Sequence, residues 1–144
     1  MEINFYQSEE VIYKAIAPIL IKILDQEKKA YIFTKDENIK EIDDGLWSFS
    51  KTKFVPHATT FDNLKITEQP IFIGSKLENI NNANYLIKTT PAEEEFCKKF
   101  ERICYFFNSE NLKEARDLWK KYQSQNFELN FYKKDKSNWH KINL

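Results

Sequence analysis

From residue 11 onward, apolar pairs recur every four positions: Val11–Ile12, Ala15–Ile16, Ile19–Leu20 and Ile23–Leu24, with Lys14 and Lys22 off the stripe. That beat gives a helix one apolar face, and Pro18 within it is expected to bend it. Ser8 stands where an N-cap belongs, and Glu9 and Glu10 fall in a first turn whose free amides favour carboxylates. Ahead of this helix Ile3–Tyr6 is a short β-prone run. After it, Ala30–Thr34 reads as a buried strand and Asp36–Trp47 as a short acidic helix ended near Gly45.

Residues 48–69 form a polar connection of little periodicity that holds Phe54, Pro56, His57 and Phe61. Pro70–Ile73 predicts a third strand, Lys76–Asn84 a turn-rich segment, and Tyr85–Lys88 a fourth strand. Thr90-Pro91-Ala92-Glu93 has the form of a helix start, with Thr as cap, Pro at N1 and Glu at N3. Phe96, Cys97 and Phe100 then line the inner face of that helix. Ile103–Phe107 predicts a fifth strand, Ser109 opens a last helix running to about Ser124, and Phe127–Tyr132 can add an edge strand before a basic tail containing Trp139. Strands and helices alternate without a repeat or a linker. The expectation is one α/β domain over residues 1–144, with 133–144 as a basic C-terminal extension. Its sheet should be mostly parallel, with helices on both faces.

Composition fits such a core: of 144 residues, 42% are hydrophobic and 15% aromatic, which a disordered chain would lack. The 22 basic and 22 acidic side chains cancel overall but not locally. Residues 111–144 carry a net positive charge and the first 110 residues a matching negative one. A basic surface attracts anionic partners. The excess is smaller than a DNA-binding domain usually carries, which favours an acidic peptide over duplex DNA. Cys97 and Cys104 are too few for a zinc site or a disulfide framework and read as buried reduced thiols. The N-terminus has no signal or transit character, and the longest apolar stretch, Ile16–Leu24, is far short of the roughly 20 residues that span a bilayer. A cytoplasmic protein without membrane contact is expected.

Chemistry is sparse. The chain has two glycines, Gly45 and Gly74, so neither a dinucleotide fingerprint nor a phosphate-binding loop is available. The first strand-to-helix turn, Tyr6-Gln7-Ser8-Glu9-Glu10, has no glycine, and its two carboxylates would repel phosphate. There is no nucleophile elbow, and His57 suits a hydrogen-bonded structural role better than a catalytic one. We expect no catalytic residue, cofactor or metal.

The last helix is richer. At 100° per residue Leu112, Ala115, Trp119 and Tyr122 share a face, with Lys113, Arg116 and Lys120 beside it. Arg116 and Trp119 lie one turn apart. An apolar notch rimmed by cations suits an acidic peptide ending in an aromatic ring. The same spacing also describes an ordinary amphipathic helix with solvated basic residues. Trp47, where the acidic helix gives way to the polar connection, and Phe54 within that connection either mark a partner surface or plug the core.

Taken in order, several stretches resemble the chi subunit of the bacterial DNA polymerase III holoenzyme. Lys29-Ala30-Tyr31-Ile32-Phe33-Thr34 leads to Asp44-Gly45-Leu46-Trp47 and on to Phe54-Val55-Pro56-His57. Pro70-Ile71-Phe72-Ile73 and Asn84-Tyr85-Leu86-Ile87 follow, then Ala115-Arg116-Asp117-Leu118-Trp119-Lys120-Lys121-Tyr122 and Phe127-Glu128-Leu129. Where the family carries a glycine before that last motif, this chain has Asn126. The resemblance implies a Rossmann-like domain without a nucleotide-binding loop, acting as a non-catalytic adaptor of the clamp loader. It places Arg116, Trp119 and Lys120 in a pocket for the acidic, phenylalanine-ending C-terminal tail of single-stranded DNA-binding protein. It places Trp47, Phe54, Pro56 and His57 against a second protein, the psi subunit or a helicase, with DNA reached indirectly through these partners. The alternatives are a direct single-stranded nucleic-acid binder using the basic third and a small nucleotide-binding enzyme.

Overall fold

A computed structural model describes residues 1–49, 56–60, 69–135 and 138–143. The described strands join in one eight-stranded sheet: β1 (Glu2–Gln7), β2 (Ala30–Phe33), β3 (Ala58–Thr59), β4 (Ile71–Gly74), β5 (Tyr85–Lys88), β6 (Arg102–Phe107), β7 (Glu128–Asp135) and β8 (Asn138–Ile142). Their order is β3-β4-β2-β5-β6-β1-β7-β8. Every pairing is parallel except that of β7 with β8. Helices α1 (Ile12–Asp25) and α2 (Asp36–Ser48) cover one face, where Ile16, Leu20, Ile39 and Ile42 pack on Ile32, Ile73 and Ile87. The short α3 (Glu94–Cys97) and α4 (Leu112–Gln123) cover the other, where Phe96, Ala115 and Tyr122 meet Phe5, Tyr31 and Tyr105. This is the expected α/β architecture. Central strands are apolar on both sides because both sides are covered.

Several boundaries differ from expectation, each for a physical reason. Helix α1 begins at Ile12, not after Ser8, because the Ser8 amide still donates to Phe107 O (3.0 Å) and prolongs the sheet. Ser8 Oγ accepts from the Glu10 amide in a local turn (3.1 Å) and caps no helix. The first turn of α1 therefore holds no acid. Glu9 instead accepts from the Ser109 amide (2.9 Å), and Glu10 pairs with Lys134 (2.6 Å). Pro18 sits inside a helix that continues to Asp25.

Gly45 lies within α2, not at its end. A Cβ there would run into the ring of Tyr13, so glycine serves the close approach of α1 to α2. At residues 90–93 the chain does not start a helix, since a single turn begins at Glu94 with Glu93 at the N-cap position. A 3-10 turn, Ser109–Asn111, precedes α4, with Asn108 accepting from the Glu110 amide.

Strand β7 is interior, not an edge. The supposed basic extension folds back as β8, and its Trp139 packs edge-on against Tyr6 on the α1 side (5.1 Å). Asn126, where the resemblance leads one to expect a glycine, has φ 60. Asn tolerates that left-handed conformation better than most other side chains, so the turn into β7 forms without a glycine. Both cysteines are free and buried, and burial pushes the Cys104 thiol up to about 12 and the Cys97 thiol upward as well. Among the described residues no helix is long and apolar enough to cross a membrane.

Candidate peptide-binding site

The side chains of α4 divide as their spacing predicts. Ala115 and Tyr122 are buried, and Leu112 and Trp119 pack partly buried against the same cluster. Trp119 reaches the sheet between Phe5 (5.2 Å, 75°) and Phe131 (6.2 Å, 80°), both edge-on. Between helix and sheet remains a hollow of about 380 Å³. Phe5, Phe107, Leu112, Ala115, Trp119 and Phe131 supply its apolar lining, and Gln7 with Arg116, Lys120 and Lys133 supplies the polar part.

Three cations and no carboxylate line this space. None of the three has an ion pair or a side-chain hydrogen bond among the described residues. Elsewhere the basic residues Lys28, Lys98, Arg102, Lys121 and Lys134 are paired with acids. Unpaired positive charge beside an apolar cavity has a defined chemical use: it holds an anion whose apolar part enters the cavity.

The spacing argument brought Arg116, Trp119 and Lys120 together correctly but erred on Lys113. That residue turns to the other side of α4, to a shallow depression with Glu110, Glu114 and Lys121. The third cation is Lys133. It arrives through the parallel register of β7 on β1, which sets it beside Gln7. Its position in the sequence, outside any helix pattern, gave no signal.

The second group of residues sits at the end of α2. His57 is fully buried, and its Nε2 donates to Asp43 Oδ1 (2.8 Å). The Trp47 Nε1–H donates to the same oxygen (3.1 Å), and the two rings lie 4.4 Å apart. Trp47 remains 52% exposed, the most exposed of the large apolar side chains described. Pro56 is half-buried beside His57, and Phe54 lies outside the described residues. Asp43, which joins Trp47 to His57, was not among the residues anticipated. Its i, i+4 spacing from Trp47 is the signal that could have found it.

The crevice where α/β sheets commonly bind nucleotides is polar here, lined by Ser8, Thr34, Asn38, Thr89 and Asn108, with Glu10 and Glu41 and no cation. Such a lining disfavours phosphate.

Comparison with known proteins agrees with the order of motifs. The chain matches the family described as DNA polymerase III chi subunit, HolC, over residues 1–130. It belongs to that family. A relative from Rickettsia prowazekii (strain Madrid E), "Probable DNA polymerase III subunit chi", is 30% identical over 148 residues, covering 96% of this chain and 89% of the relative. Chi proteins are accessory subunits of DNA polymerase III, so the chain's role is an accessory one in DNA replication. The family match ends within β7, and Lys133 and all of β8 lie beyond it.

Proposed function

We propose that this chi protein is a non-catalytic adaptor of the clamp-loader assembly. The hollow beneath α4 takes the acidic, phenylalanine-ending C-terminal tail of single-stranded DNA-binding protein. In this reading the terminal ring enters between Trp119, Leu112 and Phe131, while Arg116, Lys120 and Lys133 meet the terminal carboxylate and the acidic side chains. The observation that carries it is the coincidence of an apolar cavity with three cations that, among the described residues, are unpaired and meet no acid in its lining. A hydrophobic hollow alone would accept any apolar residue. The cations select one that brings negative charge.

The exposed indole of Trp47, held by Asp43 against His57, supports a second protein contact on the far side of the molecule. An aromatic fixed by a hydrogen bond loses little entropy on docking, as binding anchors require. We assign Trp47, Phe54, Pro56 and His57 to the psi subunit or a helicase, so that one chain tethers the polymerase machinery to protein-coated single-stranded DNA.

Calorimetric titration of the intact chain tests the first contact. An acidic peptide ending in Phe with a free carboxylate should bind at one site, and the same peptide amidated at its terminus should bind distinctly more weakly. Equal affinity of the two, or no binding of either, contradicts the assignment.

A further inference from the structure

The sheet face that floors the hollow does not stop there. Cross-strand registers set two rows across it on the α4 side. Tyr105, Phe5, Phe131 and Ile142 are successive neighbours on β6, β1, β7 and β8, and Phe107, Gln7, Lys133 and His140 form the next row. Directly paired residues project from the same face. Helix α4 lies over the near end of these rows, where Trp119 and Tyr122 meet Phe5. At the far end His140 and Lys133 are exposed and Ile142 is half-buried. The hollow thus opens onto a shelf with an apolar floor, Phe131 and Ile142, and a polar rim, Lys133 and His140.

We propose that this shelf is the second half of the peptide site: acidic residues preceding the aromatic terminus leave the hollow, cross β7 and lie on β8 beside Lys133 and His140. This rests on the function proposed for the hollow and extends it to a longer ligand. Three observations carry it. The shelf is continuous with the hollow, since Phe131 and Lys133 belong to both. Its charge is complementary to an acidic chain, because the two rows that cross it carry Lys133 and His140 and no acid, Asp135 standing on the same face one row further, paired with Asn138. On the opposite face, by contrast, Lys134 is already paired with Glu10. Its dimensions also fit. Strands lie about 4.8 Å apart, so β1 to β8 is about 10 Å, the reach of about three extended residues. His140 and Ile142 lie beyond residue 130, where the family match ends, so the shelf does not follow from membership.

Two peptides with free C-termini decide the matter: the tripeptide Asp-Glu-Phe, and a nonapeptide that precedes it with six further alternating Asp and Glu residues. Each is titrated at about 0.15 M salt, where exposed charges are screened within about 8 Å, against the intact chain and its His140→Glu, Ile142→Asn and Lys141→Glu variants. The nonapeptide should bind at least about tenfold tighter than the tripeptide. His140→Glu and Ile142→Asn should each weaken the nonapeptide by about threefold to tenfold and leave the tripeptide within about twofold. Lys141→Glu is the larger charge change but lies on the other face, beside Tyr132, and should weaken the nonapeptide less than His140→Glu does.

Equal affinity of the two peptides for the intact chain overturns the shelf and leaves the hollow standing. So does a Lys141→Glu effect as large as that of His140→Glu. Failure of both peptides to bind the intact chain overturns the hollow and the shelf together.

Discussion

The indole of Trp119 meets the ring of Phe5 edge-on, with centroids 5.2 Å apart and planes at 75°. Phe5 is itself buried in the centre of β1, so it fixes Trp119 from below while Phe131 bounds it from the side. One wall of the hollow is therefore preorganised by the core. A ligand that enters it need not order that indole, which lowers the entropic cost of binding.

Arg116 and Lys120 stand outside the core and pack nothing essential, so truncating them should affect binding alone. Arg116→Ala and Lys120→Ala should each lower affinity for an acidic, Phe-terminated peptide by about 1–3 kcal/mol. Thermal stability should stay near that of the parent chain, and affinity should fall as salt rises. Titration calorimetry with a thermal melt of each variant checks all three outcomes.

The two proposed surfaces lie at different elements, α4 and the end of α2, and should be separable. Trp47→Ala, and Phe54→Ala within the segment outside the described residues, should release the psi or helicase partner and leave peptide affinity unchanged. A pull-down run beside the peptide titration reads both. Loss of peptide binding without loss of the partner would reverse the assignment.

Gly45 offers a test of packing. Gly45→Ala should destabilise the fold by about 1–3 kcal/mol, because the new methyl would press into the Tyr13 ring. Adding Tyr13→Ala should recover part of that loss. Denaturant unfolding of the three variants supplies the double-mutant comparison.

Lys88 is fully buried, and its Nζ has no hydrogen-bond partner among the described residues, lying 4.9 Å from the Tyr105 ring centroid and 5.9 Å from that of Tyr122. Burial holds its pKa below the ordinary lysine value. The unfolded chain therefore binds this proton more readily than the folded one. The stability cost is full below the folded pKa and fades as pH rises toward the ordinary lysine value. Lys88→Met should stabilise the domain near pH 7 by about 1–2 kcal/mol, the cation–π contacts offsetting part of the gain. The parent should narrow that gap as pH is raised. Urea unfolding across alkaline pH checks it.

How much of this was legible in the sequence depended on whether contacts were local. The face of α4 follows from its own period, so Ala115, Trp119 and Tyr122 could be placed before any tertiary contact was known. Lys133 could not, because it enters the hollow through the pairing of β7 with β1, at opposite ends of the chain. The role of Gly45 was misjudged for the same reason: a helix stop and a close approach to Tyr13 look identical until the neighbouring helix is in place. Ser8 has the composition of a cap, but the pairing of its amide with Phe107 overrode that local preference. Trp139 gave no pattern at all, since its strand exists only because β7 is there to receive it.

The three tryptophans stand on three different surfaces: Trp47 at the end of α2, Trp119 in the hollow, and Trp139 on the opposite face of the sheet. Their indole N–H resonances, followed by NMR during titration with an acidic, Phe-terminated peptide, report directly on where it binds. The Trp119 signal should shift to saturation while those of Trp47 and Trp139 stay in place. An unmoved Trp119 at saturating peptide, or a shift confined to either of the other two, would contradict the account.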